Sequence, residues 1–332
     1  EGAGAGQKGL ACFPGDALER LRAHGVACLC SQGRRLDATV PNQDDLLLAM
    51  CTCAEHGRVG LYGVFDGHGP AGHRCAALVR SCLPECIFGD PELLSKPEAV
   101  LRSAFRRAEQ ALLRQSFDVR TSGSTATLAL VLDASSSGEG PREPETWVFI
   151  AHLGDSRAIL ASREGGEQGG STCSGGSVRV TSLTRDHKPD NPEESERVRR
   201  QGGEIRALAH GSGAARIYAP GTRRPAFALT RTFGDVAAKH CGVTAVPEVA
   251  AYPLRQPSES LLVLGTDGVF EFCSNEEVAS RLLLGGVSGA ALQEIRTTSR
   301  QRWAANSYNG TVDDATMIAV SLAGGAEARA PA

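Results

Sequence analysis

Twice in this 332-residue chain an apolar run ends abruptly in Asp-Gly: Val64-Phe65-Asp66-Gly67-His68-Gly69 and Leu264-Gly265-Thr266-Asp267-Gly268. A third acidic group, Val312-Asp313-Asp314, stands just ahead of the apolar stretch that runs to Leu322. A fourth, Leu153-Gly154-Asp155-Ser156-Arg157, reads as a tight turn between two strands, and Asn42-Gln43-Asp44-Asp45 precedes the run Leu46 to Met50. A strand that runs straight into Asp holds the carboxylate at a sheet rim, and the following Gly frees the backbone to turn. Taken singly, each is also an ordinary turn signal. Taken together they offer oxygen ligands, with little His and no Cys, which suit Mg²⁺ or Mn²⁺ better than zinc. Two such ions about 3.5–4 Å apart share a water, lower its pKa and neutralise a phosphate under attack.

The elements that must position these groups are legible in outline. Cys75, Leu78, Val79, Cys82 and Leu83 form a helical stripe, as do Leu101, Ala104, Phe105, Ala108 and Leu112. Ser95-Lys96-Pro97-Glu98 reads as a capping box for the second of these, Asn191-Pro192 opens another helix, and Ser274 with Glu277 caps one more. Strands are expected over 61–65, 124–132, 147–153, 157–160, 261–264 and 316–322. The helices arrive in groups and do not follow every strand, which predicts an α+β fold with antiparallel sheets. Gly/Ser-rich stretches 134–145 and 162–177 read as surface loops. One domain is expected over 22–323, between loose ends at 1–21 and 324–332.

Composition removes several classes of function. A net charge of −3 offers no global field for nucleic acid, and no apolar run approaches the ~20 residues of a membrane-spanning helix. The eleven Cys include two Cys-x-Cys pairs, Cys28/Cys30 and Cys51/Cys53. Residues two apart share a face of a strand, so these read as small core residues in a reducing compartment, cytoplasmic or nuclear. Gly4-Ala5-Gly6-Gln7-Lys8-Gly9 spells a nucleotide-binding pattern, but no strand precedes it. Glu1 to Gly9 lacks an initiator Met and a signal-like pattern, so the chain reads as part of a longer product.

The ordered set Asn42-Gln43-Asp44, Val64 to Gly69, Gly123-Ser124-Thr125-Ala126, Gly154 to Arg157, Asp186-His187-Lys188-Pro189, Thr230 to Asp235, Thr266-Asp267-Gly268 and Val312-Asp313-Asp314 resembles the type-2C metal-dependent serine/threonine protein phosphatases over nearly the whole chain. The Asn-Gln-Asp form is closer to the plant-like and protist branch. The resemblance implies a four-layer αββα sandwich, two antiparallel sheets flanked by helix pairs. It implies a monomer acting on phosphorylated proteins with two Mg²⁺ or Mn²⁺ ions and a weaker third. Asp66 would bridge both ions, the Gly67 carbonyl would bind one, and Asp267 and Asp313 would complete the other. Asp44 would reach the metal through water, Asp155 would serve the third ion, and His68 would protonate the departing Ser/Thr oxygen. Residues 190–225 would form a flap beside the site.

Three departures from the family pattern stand out. Gln43 replaces an acidic residue, and Glu271 replaces an Asp after Asp267-Gly268-Val269-Phe270. The phosphate-gripping Arg of the animal enzymes falls in register near Thr39, so Arg34 or Arg35 is the candidate for that role. These changes keep open an alternative, a pseudophosphatase that acts as a binding or regulatory module.

Overall fold

The computed structural model describes residues 21, 23–37, 39–53, 57–134, 145–163, 178–207, 215–224, 226–254 and 260–322. The predicted loose ends and most of the two Gly/Ser-rich stretches lie outside these residues, as does the glycine pattern near the N-terminus. Strands claim part of the stretches read as loops, since β5 (Ala126–Ala134) and β7 (Arg157–Arg163) run into them.

Among the described residues, a five-stranded antiparallel sheet has the order β1-β14-β13-β7-β8: β1 is Val26–Ser31, β14 Ala315–Ser321, β13 Ser260–Gly265 and β8 Val178–Ser182. The second sheet is centred on β3 (Gly57–His68), which pairs with β2 (Asp44–Cys53) on one side. On its other side follow β5, β6 (Glu145–Leu153) and β12 (Glu248–Leu254). At the far end of β3 two short strands, β4 (Gly123–Ser124) and β11 (Phe233–Gly234), extend the sheet.

Why the central strands read as continuous apolar runs is explained by what lies on each face. Val64, Tyr62, Val131, Ile150, Leu264 and Ile318 meet between the sheets. The alternate positions Leu61, Phe65, Leu128 and Leu130 point outward onto helices α1 (Gly72–Phe88) and α2 (Pro97–Leu112). On the opposite side Leu261 and Val263 meet helices α6 (Asn275–Gly285) and α7 (Gly289–Asn306). The period-2 pattern therefore has an apolar destination on both faces, and the result is four layers, α/β/β/α. Leu264 is fully buried, so Leu264→Ala costs about 2–5 kcal/mol and loosens the strand that delivers Asp267.

Helix entry follows the sequence at two of the three expected caps. The Asn191 side chain accepts from Glu193 N at the start of α3 (Pro192–Arg200), and Ser274 accepts from Glu277 N at 3.1 Å for α6. The third differs. Helix α2 takes Lys96 as its N-cap without a side-chain cap bond, and the Ser95 hydroxyl donates to Glu92 O instead. A turn in which Lys96 N donates to Glu92 O at 2.8 Å places Ser95 one residue too early to cap. The eight cysteines with described side chains are all free, and Cys30 is buried beside Cys28 in β1.

The described parts of residues 190–225 hold a helix and a short ribbon. Helix α3 is followed by a two-stranded ribbon, β9 (Glu204–Ala207) and β10 (Ala215–Tyr218). Val198 and Ile217 share a minor apolar cluster with Ala238, Cys241 and Val243. Two single-turn helices complete the fold: α4 (Val236–Lys239) and α5 (Asp267–Phe270).

Candidate metal centre

The β2–β3 register sets Asp44 directly opposite Asp66, so two carboxylates stand side by side where the strands end. Asp44 is 2% exposed, and its Oδ2 accepts from Thr266 Oγ1 at 2.9 Å. Thr266 itself receives the Thr316 amide and donates its own to Thr316 O, which locks the end of β13 to β14. Asp267 follows at once and opens α5. A Cβ on Gly67 would collide with the Gly72 carbonyl and sit 2.6 Å from Gln43 O, so only glycine lets the backbone pass here.

Asp66, Asp155 and Asp267 each offer an oxygen within 4.8 Å of the other two. Thr125 ties two of them together: its hydroxyl accepts from Asp66 N at 3.1 Å and meets Ser156 Oγ, beside Asp155, at 2.8 Å. Burial first, then the neighbouring charges of Asp267, Asp44, Asp313 and Asp155, push the Asp66 carboxyl well above the usual carboxylate range. Asp267 is raised by burial and then by Asp155 and Asp313, and Asp44 by burial and then by Asp314 and Asp313. Asp313 is raised as well, chiefly by burial, although Arg35 opposes the rise. Like charges gathered from β2, β3, the start of α5 and the turns before β7 and β14 repel one another unless a cation joins them. The donor set is all oxygen, which fits a hard divalent ion.

Arg35, one of the two arginines singled out in the sequence, reaches this cluster. It donates to Gln43 Oε1 at 3.0 Å, Asp313 Oδ1 at 3.1 Å and Asp314 Oδ2 at 2.9 Å. Burial alone would depress its guanidinium, but Asp313 and Asp314 hold it above its ordinary value. Arg34 turns away and donates to Gly310 O. Gln43 replaces an acid but is not idle, since its Nε2 donates to Gly69 O at 2.7 Å and steadies the turn that carries His68.

On the other flank, Lys188 Nζ stands 3.2 Å from both Asp155 Oδ2 and Glu271 Oε2. Burial lowers its pKa, yet Asp155, Glu271 and Asp186 outweigh burial and raise it. His68 Nε2 lies 2.6 Å from Asp235 Oδ2, and the Phe227 ring meets the imidazole edge-on at 5.9 Å between centroids. Sequence reasoning gave no role to Lys188, Asp235, Asp314, Thr125 or Thr266, although each falls within or beside a matched motif.

A second group, His152, His187 and Glu248, also has ligand atoms within 4.8 Å of one another. Its chemistry differs. Gly154 N donates to His187 Nδ1 at 3.1 Å, so a neutral ring carries its proton on Nε2, the nitrogen 3.5 Å from Glu248 Oε2. A protonated nitrogen is a donor to a carboxylate and not a metal ligand. Burial and the stacked His187 ring lower the His152 pKa to about 4, which keeps that ring neutral.

Residues 34–303 match the family described as "Protein phosphatase 2C". "Probable protein phosphatase 2C 61" of Arabidopsis thaliana is 30% identical over 286 residues, covering 85% of this chain and 80% of the relative. "Probable protein phosphatase 2C 72" of the same plant is 32% identical over 315 residues, with coverage of 91% and 87%. The crystal structure of serine-threonine phosphatase 2C from Toxoplasma gondii superposes with a TM-score of 0.67 at 20% identity, over 89% of this chain and 93% of that one, which supports the fold. The chain belongs to the protein phosphatase 2C family of metal-dependent serine/threonine protein phosphatases. Phosphorylated proteins are therefore its substrate class, and among the described residues no helix is long and apolar enough to cross a membrane.

Proposed function

We propose that this chain, as a monomer, hydrolyses phosphoserine and phosphothreonine in proteins with two Mg²⁺ or Mn²⁺ ions held at the carboxylate cluster. The observation that carries this reading is the crowding of Asp44, Asp66, Asp267 and Asp313, all pushed toward protonation by burial and by one another. Asp66, the Gly67 carbonyl, Asp267 and Asp313 would hold the two ions, Asp66 serving both, and Asp44 would act through water. When bound, the cations lower the pKa of the attacking water and neutralise the phosphoryl oxygens.

The chain's own side chains do the rest. The Arg35 guanidinium, anchored through one nitrogen to Asp313 and Asp314, presents charged donors to the phosphate. Its planar fork suits that anion better than an ammonium would. His68, 29% exposed and one residue past Gly67, gives a proton to the departing seryl or threonyl oxygen. Residues 190–225 act as the flap, and Phe227, just beyond it, closes over the imidazole. Lys188 fills the space between Asp155 and Glu271, so a third ion binds at Asp155 only by displacing that ammonium. The test is hydrolysis of a phosphothreonine peptide with and without Mn²⁺. Activity that persists in excess chelator, or in Asp66→Ala, would overturn the proposal.

A further inference from the structure

We infer that Asp235 is the positioning residue of the general acid: its carboxylate, 2.6 Å from Nε2, fixes the tautomer and orientation of the His68 ring that delivers the proton. This rests on the reading of His68 as the acid of the reaction.

Four observations converge on the pair. The first is proximity, Asp235 Oδ2 to His68 Nε2 at 2.6 Å, a charge-assisted distance. Next is burial: Asp235 is 2% exposed, and a carboxylate with no partner there would be costly. Thr232 Oγ1 donates to the same oxygen at 3.3 Å, and Lys239 behind it is matched to Glu109 at 3.4 Å. Backbone conformation is the third. Asp235 sits at φ 47° and ψ 48°, one of two non-glycine residues at positive φ among those described. Strained positions of this kind persist where surrounding structure enforces them, and they cluster at active sites. Last, a cradle is provided by Gly123, which lies opposite His68 on one side and Gly234 on the other. A Cβ there would collide with Asp235 Oδ2 and lie 2.9 Å from His68 Nε2.

With Nε2–H held by Asp235, Nδ1 is the nitrogen left to serve the substrate. In the leaving step the bond from phosphorus to the seryl oxygen breaks and its electron pair stays on that oxygen. The Nδ1 proton of His68 joins that oxygen, and the ring is left neutral with Nε2–H still on Asp235. Water returns the proton before the next turnover. The arrangement follows the logic of a carboxylate that orients a catalytic imidazole and fixes which nitrogen faces the substrate.

The experiment compares a phosphothreonine peptide, whose alkoxide needs a proton to leave, with p-nitrophenyl phosphate, whose phenolate does not. Mn²⁺ is saturating throughout. Asp235→Asn should lower kcat on the peptide by roughly 10²-fold, the scale of general-acid catalysis, and change p-nitrophenyl phosphate turnover by less than about 3-fold. His68→Asn should show the same selectivity, and the double variant should be little worse than either alone, because the two residues act as one unit. An equal loss on both substrates for Asp235→Asn would reduce Asp235 to a structural role and overturn the inference. So would selective loss in His68→Asn with none in Asp235→Asn. If His68→Asn itself shows no selectivity, the reading of His68 as the acid fails first. Should Asp235→Asn not fold, Asp235→Ser is read in the same way, and failure of both to fold also overturns the inference.

Discussion

Two buried ionic clusters of this protein are built on opposite principles. In one, Glu194 is 3% exposed and its two oxygens are taken by Arg197, Arg231 and Thr230, while Arg231 also pairs with Glu248 at 3.0 Å. Burial works against the Glu194 charge, yet these donors hold its carboxyl far below the usual range. In the other, Asp66 and Asp267 gather with Asp44, Asp155 and Asp313, and the net shift is upward. The first cluster is complete within the chain and fastens helix α3 to the segment that leads into β11. The second has no such internal match for Asp66, Asp44 and Asp267, since Arg35 and Lys188 pair only at its flanks. Buried charge marks a functional site where its compensation has to come from outside the chain.

The largest expected effect separates the two clusters outright. Asp66→Asn or Asp267→Asn should abolish Mn²⁺-dependent phosphopeptide hydrolysis, by more than the ~10–100-fold typical of an outer-sphere partner. The same variants should melt higher than the parent without metal, since a repelling charge is gone. A lower melting temperature in the metal-free state would contradict the contrast. Glu194→Ala should do the reverse, losing about 3–5 kcal/mol of stability in denaturant titration because Arg197 loses its carboxylate partner and Arg231 keeps only Glu248. Its calorimetric Mn²⁺ affinity should be unchanged.

Smaller effects sharpen the boundary. Arg35→Lys should raise KM for a phosphopeptide by roughly 10-fold, since an ammonium cannot replace the planar fork. Lys188→Met should add Mn²⁺ binding at Asp155 and Glu271, read as a rise in calorimetric stoichiometry; an unchanged stoichiometry would remove Lys188 as a competitor.

The mildest is a pH effect on the complete side. The His152 pKa in the folded protein, about 4, lies below the ~6.5 of an unfolded chain. Its contribution is intact above ~6.5 and lost as the pH falls toward 4, because the unfolded state binds the proton more readily. Glu248, lowered to about 2 first by its His187 bond, contributes above ~4.5 and fades as the pH falls toward 2. The urea midpoint difference between parent and His152→Gln should therefore shrink between pH 7 and pH 5.

That the carboxylates would cluster was legible because strand, Asp and Gly follow one another in sequence, and a rigid strand makes position along the chain a guide to position in space. The β-type runs at 61–65, 261–264 and 316–322 all fall within or largely within strands, each lengthened by a residue or more except at the C-terminal end of β14. Strand β12 was missed: Pro253 and a run of small residues hide it, and at the sheet edge it needs fewer ladder bonds. Helix α7 was missed for another reason. Arg296 and Ser299 are buried, where Arg296 bonds Ser31 and Gln32, so its inward face does not read as apolar. Asp235 was quoted in a motif without a role, because nothing in the local sequence shows that β11 will lie beside β4 and meet His68 there. Partnerships between distant segments leave little local trace.

The Arg35 contacts also bear on how this protein comes to life during synthesis. Arg34 bridges Val312, Arg35 grips Asp313 and Asp314, and β1 lies along β14, so the centre is closed by segments some 280 positions apart. Such non-local pairings form late, after loop closure has been overcome. On a ribosome adding about 5–20 residues each second, Asp66 and His68 emerge long before their partner at 313. A chain ended before residue 312 would lack Asp313, both carboxylate partners of Arg35 and the strand that pairs with β1.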